Sequence, residues 1–482
     1  MKPILILSTL IVNAIGPYFN GSFYPSSQKE TEDFIRKYSE NLKNKTFSNA
    51  IALLVPHAGY IYSGKVQAQG YAAIPKADTY FIISPSHRHW FDDAVVCSKS
   101  FFIFETEIET DNSIIKKLTS YSDLFKDDCS KFVNEHAVEV QLPFLNYRFK
   151  KDFKIVPLLI NTQQINKIKK IAEKIKTACD SSGKKVFYII SSDLSHYPSY
   201  EKAKKLDLTL IEAIKSMDIF YIDLTSKLLL SKKIENYETS ACGLAGIMLG
   251  VEISKLYTEN PSFELLKYSN SYDENPSMAD KKNVVGYASA FFVPAKEKHK
   301  REKLSKEEKR YLLSLARQSI EQAFESKELN IQDIYDNPKF NLPAAVFVTL
   351  TQNKNLRGCM GTTEPRLILG DAVRYFARVS AFSDPRFIPL KKEELSKTAI
   401  EISILSPLRK VKDYTEVREK KDGVVIVSKR GSGLFLPQVW EHFSSKEEFL
   451  SELCSQKAGL ESDCFKNKEN EIFVFDVESF SQ

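Results

Sequence analysis

Histidines follow three short apolar runs of this sequence. His57 comes after residues 51–55, His87 after residues 80–83, and His196 after residues 186–190. Short runs of β-branched and aromatic residues bounded by turn residues are typical of buried strands. Because ligand sites in parallel α/β sheets lie beyond the carboxyl ends of the strands, we expect these histidines to converge on one edge of one sheet. Since imidazole binds transition metals, the spacing predicts a metal site there.

Cys242 is the candidate third ligand. It lies in the segment SACGLAG at residues 240–246, which is typical of a turn that leads into a helix. The small residues permit close backbone approach, and a following helix N-terminus is expected to lower the pKa of the thiol. Two imidazoles and a thiolate suit iron, copper or zinc better than magnesium or calcium. His57, His87 and Cys242 are therefore the predicted metal ligands.

Further polar residues of the same segments are candidates for proton transfer. Asp193 precedes His196 by three residues, a spacing that places both on one side of a tight turn. We expect His196 to act as a general acid or base whose tautomer Asp193 fixes. His136 is a third candidate, and its neighbours Glu135 and Glu139 are expected to supply hydrogen-bonding groups. A histidine or cysteine taken singly is more often structural, so the interpretation depends on their joint placement.

Composition bounds the class of protein. The chain has 482 residues, which is too long for one ordinary core, and its apolar content of 43% is that of a globular protein. The net charge of +6 comes from 68 basic and 62 acidic residues that are interspersed. Since no basic stripe with interleaved aromatic residues is visible, we predict neither a nucleic-acid nor a membrane partner.

The cysteines and the N-terminus bear on the compartment. Seven widely spaced cysteines without a CxxC pair argue against a disulfide framework and a zinc ribbon. A reducing compartment, the cytoplasm, is therefore predicted. Residues 1–14 favour export instead, because a lysine, an apolar stretch and terminal small residues are typical of a short signal peptide. We favour an N-terminal strand there and keep export as the alternative.

A domain boundary is predicted where an apolar run gives way to the charged segment AKEKHKREKLSKEEKR at residues 295–310. Ser305 and Glu308 have the spacing of a capping box, and apolar residues at helical spacing come after them. We predict a domain at residues 1–294, a charged linker at 295–304 and a second domain at 305–482.

The two predicted domains differ in their pattern. Before the boundary, strand-like runs at residues 51–55, 80–83, 153–160, 186–190, 263–268 and 284–293 alternate with helix-like stretches. This order predicts an α/β domain whose sheet is flanked by helices on both faces. After the boundary, strands at 344–350, 399–405 and 424–428 and helices near 367–380 and 446–454 do not alternate, which favours a smaller α+β domain.

The motifs of the first domain resemble the Memo family over residues 13–294. They are GSFYP at 21–25, PHAGY at 56–60, SPSH at 84–87, EHAVE at 135–139 and SDLSHY at 192–197. That family's fold is similar to the class III extradiol dioxygenases, which are non-haem iron enzymes. The resemblance implies metal ligands at His57, His87 and Cys242, further pocket residues at Asp193 and His196, and iron as the metal, with copper and zinc as alternatives.

The resemblance leaves the reaction open. The dioxygenases bind iron through two histidines and a carboxylate, whereas here a cysteine takes the place of the carboxylate and alters charge and redox tuning. The similarity of fold is the only basis for expecting oxidative chemistry. An O2-using oxidoreductase is our hypothesis. The alternatives are a non-catalytic peptide- or metal-binding module and a zinc-type hydrolase with a metal-bound water.

The second domain resembles the AMMECR family over residues 305–478. The motifs are LRGCMG at 356–361, SDPRF at 383–387, EISILSP at 401–407 and GLFLPQV at 433–439. Both families occur with a radical-SAM protein in a three-component system, AmmeMemoRadiSam. The resemblance therefore implies a radical-SAM partner, and leaves the substrate open as a small molecule or a peptide.

Arg357 and Cys359 are the candidate site residues of the second domain. Arg357 is expected to favour the thiolate of Cys359, and Arg366, Arg374, Arg378 and Arg386 to gather into an anion-binding surface. The alternative is that Gly358 and Gly361 shape a turn beneath which Cys359 packs. The sequence leaves both interpretations open.

Overall fold

The computed structural model describes residues 14–39, 46–297, 302–331 and 334–482. The chain divides into two compact units: unit 1 comprises residues 1–301 and 336–338, and unit 2 comprises residues 302–335 and 339–482. The signal peptide or strand expected at the N-terminus lies outside the described residues except for its last residue, Ala14. Residues 298–301 of the expected linker also lie outside them.

The strands of unit 1 are β1 (Ala14–Ile15), β2 (Ala52–Val55), β3 (Thr79–Ser84), β4 (Ala94–Val96), β5 (Ser100–Ile103), β6 (Thr106–Ile108), β7 (Phe125–Asp127), β8 (Lys154–Leu159), β9 (Val186–Ser191), β10 (Pro261–Asn270) and β11 (Gly286–Pro294). Eight of them form a mixed sheet in the order β10-β11-β2-β9-β3-β8-β4-β7. The central strands β2, β9, β3 and β8 are parallel. Strands β1, β5 and β6 form a separate small sheet.

The helices of unit 1 are α1 (Gln28–Ser39), α2 (Tyr60–Ala73), α3 (Asn112–Thr119), α4 (His136–Glu139), α5 (Leu142–Phe149), α6 (Ile165–Ser181), α7 (Tyr200–Lys215), α8 (Ile219–Ser231), α9 (Leu244–Tyr257) and α10 (Ser271–Glu274). They cover both faces of the sheet, as predicted. Leu53 and Val55 of β2 pack beneath α2, whereas Ile190 of β9 faces α9. Because successive side chains of a strand point to opposite faces, such fully apolar strands need a helix on each side.

Close packing of α9 on the sheet depends on glycine. A Cβ atom at Gly250 would lie 2.0 Å from Cδ1 of Ile190, and one at Gly246 would lie 3.2 Å from Cγ2 of Ile83. The helix therefore approaches the central strands more closely than a larger residue would permit. This approach brings the start of α9 to the carboxyl ends of β9 and β3.

Unit 2 is a smaller α+β unit, as predicted. Its strands are β12 (Pro343–Gln352), β13 (Asn355–Gly361), β14 (Leu367–Ile368), β15 (Thr398–Leu405), β16 (Arg409–Val411), β17 (Gly423–Val427), β18 (Ser432–Phe435), β19 (Glu471–Phe475) and β20 (Val477–Ser481), and its helices are α11 (Lys306–Phe324), α12 (Leu369–Phe382) and α13 (Lys446–Glu452). Strands β13-β12-β15-β20, with β14 beside β12, form one antiparallel sheet, and β16-β19-β17-β18 form another. The capping box at Ser305 and Glu308 is present at the start of α11.

Four of the seven cysteines are paired, so the expectation of unpaired cysteines is wrong. Cys97 is bonded to Cys129 in unit 1, and Cys454 to Cys464 in unit 2. The spacing of the cysteines did not reveal either pair, because residues that are 32 and 10 positions apart meet only after folding. Cys179, Cys242 and Cys359 are free.

In the parts of the chain that the structure describes, no helix is both long and apolar enough to cross a bilayer.

Candidate metal centre

Three adjacent parallel strands deliver the candidate ligands to one sheet edge. Strand β9 lies between β2 and β3, with Val55 opposite Ser191 and Ile83 opposite Ile190. The chain leaves all three strands on the same side, so the loops that carry His57, His87 and His196 begin together. The ligand atoms of His57, His87 and Cys242 lie within 4.8 Å of one another.

His57 is buried, and a hydrogen-bond network fixes its orientation. Its Nδ1 atom lies 3.0 Å from Oγ of Ser191, and Ser191 donates its own proton to the Ala137 carbonyl oxygen at 2.7 Å. Nε2 of Gln141 donates to the same Ser191 oxygen at 3.0 Å. The Ser191 oxygen therefore accepts from His57, so Nδ1 carries the hydrogen. The lone pair of His57 Nε2 is left for a metal.

His87 is oriented by a carboxylate. The buried side chain of Glu135 accepts from Nδ1 of His87 at 2.9 Å and from its backbone amide at 2.8 Å. Burial alone would raise the pKa of Glu135, but these hydrogen bonds and the charge of His87 outweigh it and lower the pKa. A carboxylate that holds Nδ1–H of a histidine is the usual support of a metal-binding imidazole. Nε2 of His87 is thereby left for a metal as well.

Cys242 reaches the histidines because a glycine follows it. Its Sγ atom lies 3.1 Å from Nε2 of His57. Gly243, the N-cap of α9, donates to Oγ of Ser192 at 2.9 Å. A Cβ atom at Gly243 would lie 2.7 Å from Cβ of Ser192, so a larger residue would push Cys242 away from the strand ends.

The protonation of Cys242 differs from the expectation. Its proximity to a helix N-terminus predicted a lowered pKa, but burial raises the pKa of the thiol, and the charge of Asp193 raises it further. The hydrogen bond from the Gly243 amide acts in the predicted direction and is outweighed. The thiol is therefore protonated until a cation takes the proton's place.

Asp193 has a different partner from the one predicted. Its Oδ1 atom accepts from the backbone amides of His57 at 2.8 Å and Ala58 at 3.3 Å, so it holds the His57 loop rather than the His196 ring. Burial raises the pKa of Asp193 to about 6. Its carboxylate, the imidazole of His196 and the thiol of Cys242 form a second group of potential ligands.

His196 projects an unsatisfied nitrogen into this region. Its backbone is fixed by bridges to Thr239 and Val285. Among the residues that the structure describes, Nε2 of His196 is buried and has no hydrogen-bond partner. Burial, followed by the charge of His87, lowers the pKa of His196 to about 4, so the ring is neutral at pH 7. A buried polar atom without a partner indicates a missing ligand or solvent molecule.

His136 forms one wall of the same pocket. Its ring stacks on that of His87, with centroids 4.5 Å apart, and lies 5.2 Å from that of His57. Phe23 and Phe19 contact it at centroid distances of 4.6 and 5.6 Å. Burial and the charge of His87 lower the pKa of His136 to about 4. Glu139, expected to support the histidines, instead accepts from the backbone amides of residues 18 and 19 and from the Tyr24 hydroxyl.

The imidazoles of His57, His136 and His196 are neutral near pH 7. The pKa of His57 also lies well below its usual value, first because of burial and then because of the neighbouring histidines. Neutral imidazole is the form that binds a metal, so His57 has no imidazolium proton to lose. Cys242, in contrast, has to lose its thiol proton when a cation binds.

The candidate residues of unit 2 lie on a strand and not in a turn. Cys359 is part of β13, and its Sγ atom lies 3.1 Å from Oγ1 of Thr349 on β12. Its backbone amide donates to Asp384 at 2.8 Å, and Arg386 donates to its carbonyl oxygen at 3.0 Å. The glycines on either side serve close packing, since a Cβ atom at Gly358 would lie 2.1 Å from the Ser380 carbonyl oxygen.

The arginines of unit 2 are held by partners within the unit. Arg357 forms a two-pronged pair with Glu394 at 3.1 Å, and Arg386 pairs with Asp384. Arg366 pairs with Glu364, and the other two donate to carbonyl oxygens, Arg374 to Asn330 and Arg378 to Ser319. These partners compete for the arginines, and the gathering of the arginines into one anion-binding surface stays a prediction.

The comparisons with known proteins agree with this arrangement. Residues 16–291 match the family model described as Memo-like protein. The chain belongs to the Memo-like family. The AMMECR1 family model matches residues 313–480, so unit 2 carries an AMMECR1 domain.

Relatives of the Memo-like part occur in archaea. A MEMO1 family protein of Methanococcoides burtonii is 36% identical over 273 residues, which are 57% of this chain and 97% of that protein. One of Archaeoglobus fulgidus is 32% identical over 278 residues, 57% of this chain and 98% of that protein. Among solved structures, and apart from the two family matches, an uncharacterised protein of Pyrococcus horikoshii is similar to part of this chain: it is 33% identical and the similarity covers 36% of this chain and 90% of that protein, with a TM-score of 0.34.

Two supporting residues of the Memo-like centre were not singled out from the sequence. Ser191 is the last residue of β9, and Gln141 immediately precedes α5. The serine pair that ends the β9 run is visible in the sequence. The hydrogen bonds of Ser191 to His57 and Gln141 are not visible, because these residues lie 134 and 50 positions away from it in the sequence.

Proposed function

We propose that the Memo-like unit binds one transition-metal ion through Nε2 of His57, Nε2 of His87 and Sγ of Cys242. One observation carries this proposal. Both histidines donate Nδ1–H to a dedicated acceptor, Ser191 in one case and Glu135 in the other, so that both Nε2 lone pairs are available to a cation beside one thiol. Such paired support is what metal-binding histidines need, whereas structural histidines do not require it.

The donor set favours a transition metal. Two neutral imidazoles and one thiolate are nitrogen and sulfur ligands, which iron, copper and zinc accept and which magnesium and calcium do not. Three protein ligands leave coordination positions for a substrate. Among the three metals we propose iron, on the similarity of the fold to non-haem iron enzymes, with copper and zinc as alternatives.

When bound, the ion would supply Lewis acidity and, for iron or copper, one-electron redox chemistry. His196 is the residue best placed to move a proton, because its Nε2 atom is buried without a partner among the described residues and its ring is neutral at pH 7. Asp193 holds the His57 loop. His136, covered by Phe19 and Phe23, excludes water from one side.

On this basis we propose an oxidoreductase that acts on a small molecule or a peptide and works with a radical-SAM protein. The AMMECR1 domain would supply a second binding surface. A non-catalytic metal-binding module and a zinc-type hydrolase use the same ligands, so the identity of the metal and the consumption of O2 distinguish the three functions.

The test begins with elemental analysis of the full chain purified without an affinity tag. We expect close to one metal ion per chain in the wild type and loss of that ion in His57→Ala/His87→Ala. The matched control is His89→Ala/His442→Ala, which removes two histidines outside the candidate ligand groups of the described residues. Equal metal content in the wild type and the His57/His87 variant would contradict the proposal.

A second measurement addresses the chemistry. Protein reconstituted with iron without air and then exposed to O2 should consume it with catechol-like or peptide substrates. Zinc as the native metal without O2 uptake would favour hydrolysis. Bound metal without any turnover would favour the binding module.

A further inference from the structure

We propose that the Cys97–Cys129 disulfide is a redox-modification site through which a dithiol reductant lowers the metal affinity of the Memo-like centre. The inference rests on the proposed function, since it concerns the same ligands. It depends on the position of the disulfide in the chain and on the residues that the segment after Cys129 carries.

The disulfide ties a surface segment to the core. Cys97 directly follows β4 and is fully buried, whereas Cys129 opens the short 3-10 helix Cys129–Phe132 and is partly exposed. The backbone amide of Glu135 donates to the Phe132 carbonyl oxygen at 3.2 Å, so the backbone of Glu135 is hydrogen-bonded to the last residue of that helix. Only five residues separate Cys129 from Glu135 in the sequence.

The stretch before Glu135 also has non-covalent supports. Val133 is exposed, and Asn134 has a φ of 59°, a left-handed conformation that its neighbours must maintain. Hydrogen bonds join the Asp128 amide to the Val96 carbonyl oxygen at 3.0 Å and Nε of Arg88 to the Asn134 carbonyl oxygen at 2.5 Å, and Phe132 packs on Phe101. The disulfide is the covalent tie of this segment to the sheet.

Glu135 transmits the effect to the metal centre. It accepts both Nδ1–H and the backbone amide of His87, and so sets the tautomer and position of that ligand. If the segment loosens, His87 loses part of its orientation. Supporting residues of this kind typically contribute 10- to 100-fold in metal affinity, and we expect about 10-fold because the non-covalent ties remain.

The redox step is thiol–disulfide exchange with a dithiol. A thiolate of the reductant attacks Sγ of the partly exposed Cys129, the Cys97–Cys129 bond breaks, and the sulfur of Cys97 leaves and takes up a proton. The second thiol of the reductant then releases Cys129. Two electrons pass from the dithiol, which becomes a disulfide, to the two cysteines, which become thiols.

The test measures Co²⁺ binding by the full chain without air, followed by the absorption of the cobalt–thiolate group. Wild type is compared before and after reduction by a dithiol that is then removed, and with Cys97→Ala/Cys129→Ala. The matched control is Cys454→Ala/Cys464→Ala, which removes the disulfide of unit 2. We expect about 10-fold weaker binding in the reduced protein and the first variant, and less than about 2-fold change in the control.

Two further arms test the route through Glu135. In a Glu135→Gln background, removal of the Cys97–Cys129 bond should weaken Co²⁺ binding by less than about 2-fold, since coupled changes are not additive. Hydrogen exchange at the amides of residues 129–137 should become faster on reduction, with residues 446–466 changing only through their own disulfide.

Each outcome decides between the hypotheses. Unchanged Co²⁺ affinity after loss of the Cys97–Cys129 bond, or unchanged exchange at residues 129–137, overturns this inference and leaves the proposed metal site intact. If removal of the Cys97–Cys129 bond weakens Co²⁺ binding as strongly in the Glu135→Gln background as in the wild type, the effect does not pass through Glu135. An oxidised wild type that binds no Co²⁺ overturns the proposed function together with its redox control.

Discussion

Oγ of Ser191 accepts a hydrogen bond from Nδ1 of His57 over 3.0 Å. The direction is fixed because Ser191 donates its single proton to the Ala137 carbonyl oxygen, and the side-chain amide of Gln141 donates to Oγ of Ser191. The hydroxyl group therefore determines which nitrogen of His57 is available to a cation.

We predict that Ser191→Ala weakens metal binding roughly 10- to 100-fold, which is the usual contribution of a group that orients a metal-binding histidine. The overall fold should persist, because only one hydroxyl is removed from the end of β9. Competition with a chelator measures the affinity.

Ser84→Ala is the matched control for this change. Ser84 ends the neighbouring strand β3 and is also buried, but within the described residues its Oγ atom has no hydrogen-bond partner. It should bind metal as the wild type does. Equal losses in both variants would show that the effect comes from the strand ends in general and not from the His57 tautomer.

His196→Ala should retain the metal and lose turnover by roughly 100- to 10,000-fold, the usual contribution of one general acid or base. The physical reason is that Nε2 of His196 is the buried, unpartnered nitrogen beside the proposed ligands in the part of the chain that the structure describes. Metal content and O2 uptake are measured on the same preparation. Unchanged O2 uptake would assign His196 a structural role.

Asp111 should make the stability of unit 1 depend on pH. Burial alone would raise its pKa, but hydrogen bonds from Lys184, Ser113 and Thr79 outweigh burial and lower the pKa to about 2. Because the folded pKa is depressed, its stabilisation is present above the unfolded pKa of about 4 and is lost as pH falls towards about 2. Asp111→Asn should lower the free energy of unfolding by about 2 kcal/mol at pH 7.

Denaturant unfolding of the wild type and Asp111→Asn at several pH values tests this prediction. The difference between the two midpoints should shrink as pH falls from about 5 to about 3. Asp152→Asn is the control, since Asp152 pairs with Lys76 at the surface, where such pairs contribute little. A difference that does not change with pH would contradict the ionic origin of the effect.

The two units should separate on limited proteolysis. We predict that trypsin cuts first within residues 295–304, where the sequence is rich in lysine and cannot form a core. Each fragment is large enough to fold alone, and the larger should keep the metal. First cleavage elsewhere, or a single calorimetric transition for both units, would contradict this organisation.

Much of the metal centre could be predicted from local patterns. The apolar runs that end at residues 55, 83 and 190 specify parallel strands, and parallel strands present the residues after their carboxyl ends at one sheet edge. The strands of the central sheet, β2, β3, β8 and β9, were therefore placed correctly, whereas the helices α1 and α8 were not predicted. Strands β4 to β7, of three or four residues, were not predicted because so short a run has no measurable period.

Other expectations were wrong where one local effect competed with another. A helix N-terminus does act on Cys242, but burial, which is a property of the packed unit, reverses the net direction. Asp193 is close to His196 in sequence, yet its carboxylate satisfies the amides of the His57 loop. Gly358 and Gly361 are typical of a turn, but they allow β13 to pack closely on its neighbours.

The sequence by itself determined the position of the central strands, the change of pattern near residue 300 and the types of ligand at the strand ends. These are properties of nearest neighbours and of short periods. Only the tertiary structure decided which partner each of three side chains has: Ser191 for His57, Glu135 for His87 and Cys97 for Cys129. The reason is that each of these contacts joins residues 32 to 134 positions apart, and such pairs are chosen by the packing of the whole unit.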